Sequence, residues 1–162
     1  MMTGKERILK TFKLEPTDSI PWVPFVGVHG GSLIRVNATD FLHSADHIVE
    51  GISKAVELYQ PDGIPVLFDL QLEAELLGCR LKWADENPPA VISHPLMERI
   101  SIEDLVVPGI HDGRMPLVLE ATRQLRAKYP ELALYGLIAG PFTLALHLLG
   151  TDIFMKLTIS RF

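Results

Sequence analysis

Three places in this chain set chemistry-bearing residues where an apolar run stops. The run Gly63 to Phe68 ends in Asp69, and the helical stretch behind it carries Glu73 and Glu75 before Gly78 halts it. A second run, Ile20 to Val28, ends in His29-Gly30-Gly31; a third, Leu132 to Ala139, ends in Gly140-Pro141-Phe142-Thr143. As neighbouring parallel strands, these runs would have their carboxyl ends on one face, so the three sets would converge on one cavity. Asp69 then reads in two ways. It is a catalytic acid or an acceptor for a cationic or N–H-bearing substrate, or it is the N-cap of the following helix. Glu73 and Glu75 are two apart and do not share a helical face, so Glu73 is expected at the site and Glu75 on a solvated face. His29 and Gly30 read as substrate contacts, the glycines either admitting close approach of a ligand or making a turn. Gly140 and Pro141 make a small, fixed strand exit, with Thr143 as a polar contact or a helix cap.

Other polar residues are less pointed. His43 and His47 have the i, i+4 spacing of a zinc pair, but the predicted helix starts between them and no third ligand is evident, so no metal site is assigned. His111-Asp112 lies in a loop, where a solvated histidine is the ordinary case. Cys79, the single cysteine, reads as a buried small apolar residue.

The elements that must position these residues follow from pattern. Thr3-Gly4-Lys5-Glu6 is a capping box opening a helix through Phe12, with Ile8, Leu9 and Phe12 on one face. Ile20 to Val28 is the first strand, although Pro24 breaks it. Ser44 or Asp46 caps a helix to Tyr59, and Pro61-Asp62-Gly63 turns the chain into a second strand, Ile64 to Phe68. A helix around Leu72 to Leu77 precedes a small hairpin, Arg80 to Trp83 with Ala90 to Ser93. Ser101 with Asp104 caps a helical turn, and Pro116 opens a helix to Lys128 that Pro130 stops. Leu132 to Ala139 is the third strand, and helical sequence from Leu144 breaks at Gly150. Non-alternating strands joined by helices predict a parallel sheet covered on both faces. With no GxGxxG or P-loop after any strand, an eight-unit barrel fits better than an open nucleotide-binding sheet.

Composition bounds the function. The 162 residues are 48% hydrophobic and 22% charged, which argues one globular domain. A net charge of -5 provides no basic field for nucleic acid or an anionic membrane. One cysteine allows no internal disulfide, and no apolar signal core or spanning segment is visible, so a cytoplasmic location is expected. Asn37-Ala38-Thr39 matches a glycosylation sequon, which has no consequence without secretion.

The stretches FDLQLEAELLGC, PPAVISHP and LYGLIAGPFTLALHLLG, with GKERILKTF at the start, resemble the uroporphyrinogen decarboxylase superfamily over nearly the whole chain. That group holds porphyrinogen decarboxylases and corrinoid-dependent methyltransferases that pass methyl groups to a thiol such as coenzyme M. The resemblance implies an α/β fold: the N-terminal portion of a (β/α)8 TIM barrel, about three βα units of an incomplete barrel, in a family of about twice this length. It frames residues 1–162 as a single partial barrel domain. Residues 1–19 are its N-terminal helical segment, and 20–162 are the first βα units, with the hairpin inserted near 80–93. Asp69 matches the aspartate that holds pyrrole N–H groups in the decarboxylases. Their Arg-rich RQAGR motif has no match, since the corresponding stretch reads VGVHGGSLIR and Arg35 comes too late. A porphyrinogen with its many carboxylates needs such cations.

The resemblance therefore implies the methyltransferase branch, with uroporphyrinogen decarboxylase and a truncated, non-catalytic or partner-dependent chain as alternatives. Full-length members of the branch hold zinc through an HxC pair and a distant Cys and use a corrinoid methyl donor. Here Leu77 stands two before Cys79, so no zinc or other cofactor is expected on this chain alone. The expected partners are a small-molecule substrate, a corrinoid protein, and other copies of the chain meeting at the open barrel edge; no nucleic acid or membrane is expected.

Overall fold

Asp62 ties the foot of the molecule together, because four segments meet on it. Its carboxylate accepts from the Trp22 N–H at 2.8 Å and pairs with Arg7. Its own N–H donates to the Trp22 carbonyl at 2.9 Å, and its carbonyl accepts from the Ala133 N–H at 3.1 Å. The computed structural model that shows this describes residues 1–98 and 100–160.

Arg7 lies on α1 (Gly4–Phe12), which opens with the expected capping box of Thr3 and Glu6. Three more helices come before the first strand: α2 (His29–Leu33), α3 (Ala38–Leu42) and α4 (Ala45–Tyr59). Ser44 caps α4 by accepting from the His47 N–H, as expected, while Asn37, the sequon residue, caps the unanticipated α3. The strand β1 (Gly63–Pro65) pairs in parallel with β4 (Ala133–Tyr135), with Gly63 opposite Ala133 and Pro65 opposite Tyr135. Between them come α5 (Leu72–Leu76), the antiparallel hairpin β2 (Leu81–Lys82) and β3 (Ala90–Val91), two 3-10 turns at Pro95–Met97 and Ile102–Asp104, and α6 (Met115–Lys128). After β4 the chain continues as α7 (Pro141–Leu149) and α8 (Thr151–Ile159), which bend by 117° at Gly150. No single helix among the described residues is long and apolar enough to cross a membrane.

The strands are shorter than their apolar runs. Ile20 to Val28 joins no ladder, and its last two residues turn toward α2, with a φ of +53° at Gly27. Pro21 and Pro24 each lack the donor a strand needs, which leaves Trp22 as the residue that pairs. The run after Asp62 is strand only to Pro65, although the Val66 N–H still reaches the Tyr135 carbonyl at 3.1 Å. The shortness of β1 and β4 has a separate cause: a parallel ladder is held by neighbours on both sides, and among the described residues each of these strands pairs on one side only. The covering is likewise uneven: β1 is wholly buried, whereas β4 is only partly so.

Two apolar clusters follow from this layout. The larger packs Phe41, Ile48, Ile52, Ile64, Ala121 and Leu125 between the strands and the α4–α6 layer. The smaller joins α5, the hairpin and α7 through Ala74, Cys79 and Leu148. Glycine sets the closest approach in the outer layer: a Cβ on Gly51 of α4 would lie 2.5 Å from the Gly30 carbonyl oxygen and 2.7 Å from the Phe41 ring. Gly51→Ala should therefore cost about 1–3 kcal/mol of stability through overpacking. Gly136→Ala, where nothing stands within 4 Å of the added carbon, should be neutral or slightly stabilising. Urea unfolding midpoints of the two variants check the contrast.

Candidate functional site

Two acidic side chains on one short helix organise the C-terminal ends of the strands. The helix α5 is five residues long, too short to hold its own orientation. Residues two apart on a helix point about 200° from each other. Glu75 and Glu73 therefore reach in opposite directions, and each finds a different partner.

Glu75 does not lie on a solvated face; its Oε2 accepts from Arg114 Nε at 2.8 Å. Arg114 is 7% exposed, donates through Nη1 to Asp69 Oδ2 at 2.6 Å and to the Leu42 carbonyl at 3.3 Å, and lies over the Trp83 ring at 4.9 Å. Asp69, with 1% of its side chain exposed, uses its other oxygen to accept from the Gln71 N–H at 2.9 Å. Both oxygens are thus occupied. Asp69 is neither an acid open to substrate nor the N-cap of α5; it is the buried anchor of an Asx turn leading into that helix. Gly113 completes the arrangement: its φ of +47° turns the loop into α6, and a Cβ there would strike Leu76 at 2.6 Å. Arg114 is the residue of this cluster that sequence reasoning missed. The available signal was its place at a helix N-terminus, where the macrodipole disfavours a cation unless acids neutralise it.

Glu73 faces the strand exits. Its Oε1 accepts from the Ala139 N–H at 3.4 Å, and its Oε2 is buried with no partner. A cleft of about 310 Å³ opens there, lined by Glu73, Leu76, Leu77, Val107, Pro108, Met115 and Leu144. Gly140 and Pro141 follow Ala139 as the exposed entry to α7, with Gly140 in the N-cap position. Thr143 lies within the first turn of α7 and is not its cap. The structure thus brings Glu73 together with the β4 exit.

The other predicted contacts fall elsewhere. His29-Gly30-Gly31 is the start of α2, not a strand end. The exposed His29 is bonded to the Tyr59 hydroxyl at 2.7 Å, and Gly30 is buried beneath the Phe41 ring. Convergence therefore involves two strand ends, because the Pro-broken first segment turns into helix before reaching the mouth. His43 Nδ1 donates to the Thr39 carbonyl and His47 Nδ1 to the Asp40 carbonyl, so the pair is engaged with α3. His111 is exposed, and Asp112 accepts from the Gly109 N–H within its own loop.

The residues present do not fit zinc. Among the described residues no group of three or more His, Cys, Asp or Glu is placed to hold a metal. Cys79, His94 and His147 meet only at the His147 carbonyl, which accepts from Cys79 Sγ and His94 Nδ1. Burial pushes the Cys79 thiol up to about 11, with the Glu98 charge adding to it. Burial also lowers the His147 pKa, helped by nearby His94.

The family model described as Uroporphyrinogen decarboxylase (URO-D) matches residues 3–161. The chain is 31% identical over 162 residues to the methylcobamide:CoM methyltransferase MtbA of Methanosarcina acetivorans, covering 91% of this chain and 45% of that protein. It is 27% identical to the methylcobamide:CoM methyltransferase MtaA of Methanosarcina barkeri, covering 98% and 48%. A solved structure of a methyltransferase from Methanosarcina mazei matches with a TM-score of 0.86 at 26% identity, over 99% of this chain and 49% of the other. The chain spans about half the length of the curated relatives it matches, and its architecture is that of a partial (β/α)8 barrel.

Removing Arg114 leaves a buried carboxylate without its counter-charge, so Arg114→Met should lower stability by about 3–5 kcal/mol in urea unfolding. Arg114→Lys should recover only part of this, since one ammonium cannot span Asp69 and Glu75. Cys79 should carry roughly a hundredfold less thiolate than an ordinary thiol at neutral pH. Its alkylation by iodoacetamide should be slow at pH 7–8, rise toward pH 11, and become fast on unfolding.

Proposed function

The chain belongs to the uroporphyrinogen decarboxylase family, and from that premise we propose that it serves the methyl-transferring branch, forming one wall of the active-site mouth in a methylcobamide:thiol methyltransferase. The charge of the mouth carries the reading. Among the described residues, Glu73 is the one titratable side chain lining the cleft beside the β4 exit. The nearby cation, Arg114, is committed to Asp69 and Glu75. Arg35 is exposed beyond the end of α2. A porphyrinogen bearing many carboxylates would meet an uncompensated anion here, whereas a neutral, amide-rich corrinoid would not. The relatives named for transfer between methylcobamide and CoM support the same branch.

In this reading Glu73 contacts substrate, Asp69 positions the mouth through Arg114, and Gly140, Pro141 and Thr143 shape the rim. His29 and Gly30 support the outer layer. These residues perform no zinc-dependent step in this reading, and thiol activation falls to other parts of the barrel. A corrinoid protein is the proposed partner in the cell. The apolar Ile20, Phe25 and Ile138, exposed at 92%, 62% and 77%, together with the unpaired side of β4, support further barrel strands docking there.

Incubating a barrel completed by the further strands proposed above with methylcobalamin and 2-mercaptoethanesulfonate, and following the loss of the methylcobalamin spectrum with formation of the methyl thioether, tests the activity. Transfer is expected. Release of carbon dioxide from uroporphyrinogen without methyl transfer would overturn the proposal.

A further inference from the structure

The unpartnered oxygen of Glu73 defines more than a negative mouth. Glu73 Oε2 is buried and accepts from nothing, while its sister oxygen already takes the Ala139 N–H. A carboxylate oxygen left this way is costly unless a ligand supplies a donor. The surrounding walls, Leu76, Leu77, Val107, Pro108, Met115 and Leu144, are apolar. At about 310 Å³ the cleft is far too small for a tetrapyrrole-sized ring. It suits one side arm with a short hydrocarbon stem and a polar donor at its tip.

We propose that Glu73 Oε2 accepts an N–H from one peripheral carboxamide arm of the cobamide, whose methylene stem lies along the apolar cleft. The assignment rests on the methyltransferase reading above and identifies the chemical group read by that site. Its geometry comes from the opposite side of α5. Glu75 locked on Arg114 prevents a helix of barely more than one turn from rotating, so Glu73 is held toward the mouth. Arg114 thus acts as a positioning residue for an acceptor it does not touch. A carboxylate at the arm tip in place of the amide would set two anions against each other in an apolar cleft, so the site distinguishes amide from acid.

The test measures binding to the whole protein of methylcobalamin and of its monocarboxylate derivatives, in each of which one peripheral amide is hydrolysed. Wild-type protein should bind methylcobalamin and bind one monocarboxylate isomer at least about tenfold more weakly, as expected for an unpaired charge replacing a charge-assisted hydrogen bond. Glu73→Gln keeps the shape and the acceptor for Ala139. It should weaken methylcobalamin binding several-fold and narrow the discrimination against that same isomer, a change that a purely structural role would not produce. Glu75→Gln, which loosens the hold of Arg114, should shift both affinities in the same direction as Glu73→Gln but by less. Unchanged affinity and unchanged discrimination in Glu73→Gln would overturn the amide assignment while leaving the methyl-transfer reading intact. Failure of the folded wild-type protein to bind methylcobalamin at all would overturn both.

Discussion

The guanidinium of Arg114 is the constraint on which the upper part of this structure depends. It joins the end of the β1 run through Asp69, the helix α5 through Glu75, the end of α3 through the Leu42 carbonyl, and the hairpin through the Trp83 ring. Burying a cation is unfavourable by several kcal/mol, and two carboxylates with a carbonyl offset that cost only if their geometry is retained. An aliphatic side chain of similar volume would fill the same space. It would not specify which face of α5 turns outward. The planar fork of arginine, with donors at fixed angles, does specify it.

That choice propagates to the mouth. The residues on α5 are locally ambiguous: either glutamate can face the strand exits, since a short helix has little preference of its own. Fixing Glu75 on Arg114 leaves Glu73 beside Ala139, at the start of the exit into α7. The lower part of the molecule is held independently by Asp62, which gathers α1, the first extended segment, β1 and β4. The outer helical layer is closed by glycines at Gly30, Gly31 and Gly51, which let α2 approach α4 around the Phe41 ring. Each of these three devices positions backbone segments that come from distant parts of the chain.

Local rules described the local elements well. The Thr3–Glu6 box, the Ser44 cap, the hairpin around Asp85 to Pro89, the Ser101–Asp104 cap and the break at Gly150 all stand where residue types demand them. Each depends on contacts within a few residues, so sequence spacing is enough. The first segment joins no ladder for a reason also visible in the sequence: prolines at positions 21 and 24 remove donors that their β-favouring neighbours cannot replace. The candidate site is legible in the sequence as a group of acids, but not in which of them is paired. Asp69 and Glu73 were identified, but the first is paired and the second carries the free oxygen.

The sequence by itself determined the alternation of helix and extended segment, the acids at the strand ends, and the lack of a cationic pair after the first segment. These follow from periodicity, caps and composition. Only the tertiary structure decided which acid is left with an unpartnered oxygen, because that depends on Arg114, whose nearest charged partner in the chain lies 39 residues away at Glu75. A side chain's partner across such a separation is set by how the layers pack, and no local pattern of residue types encodes it. The same reason explains why Gly30, apparently poised for a ligand, packs under Phe41: a glycine announces close approach, and the fold determines what approaches.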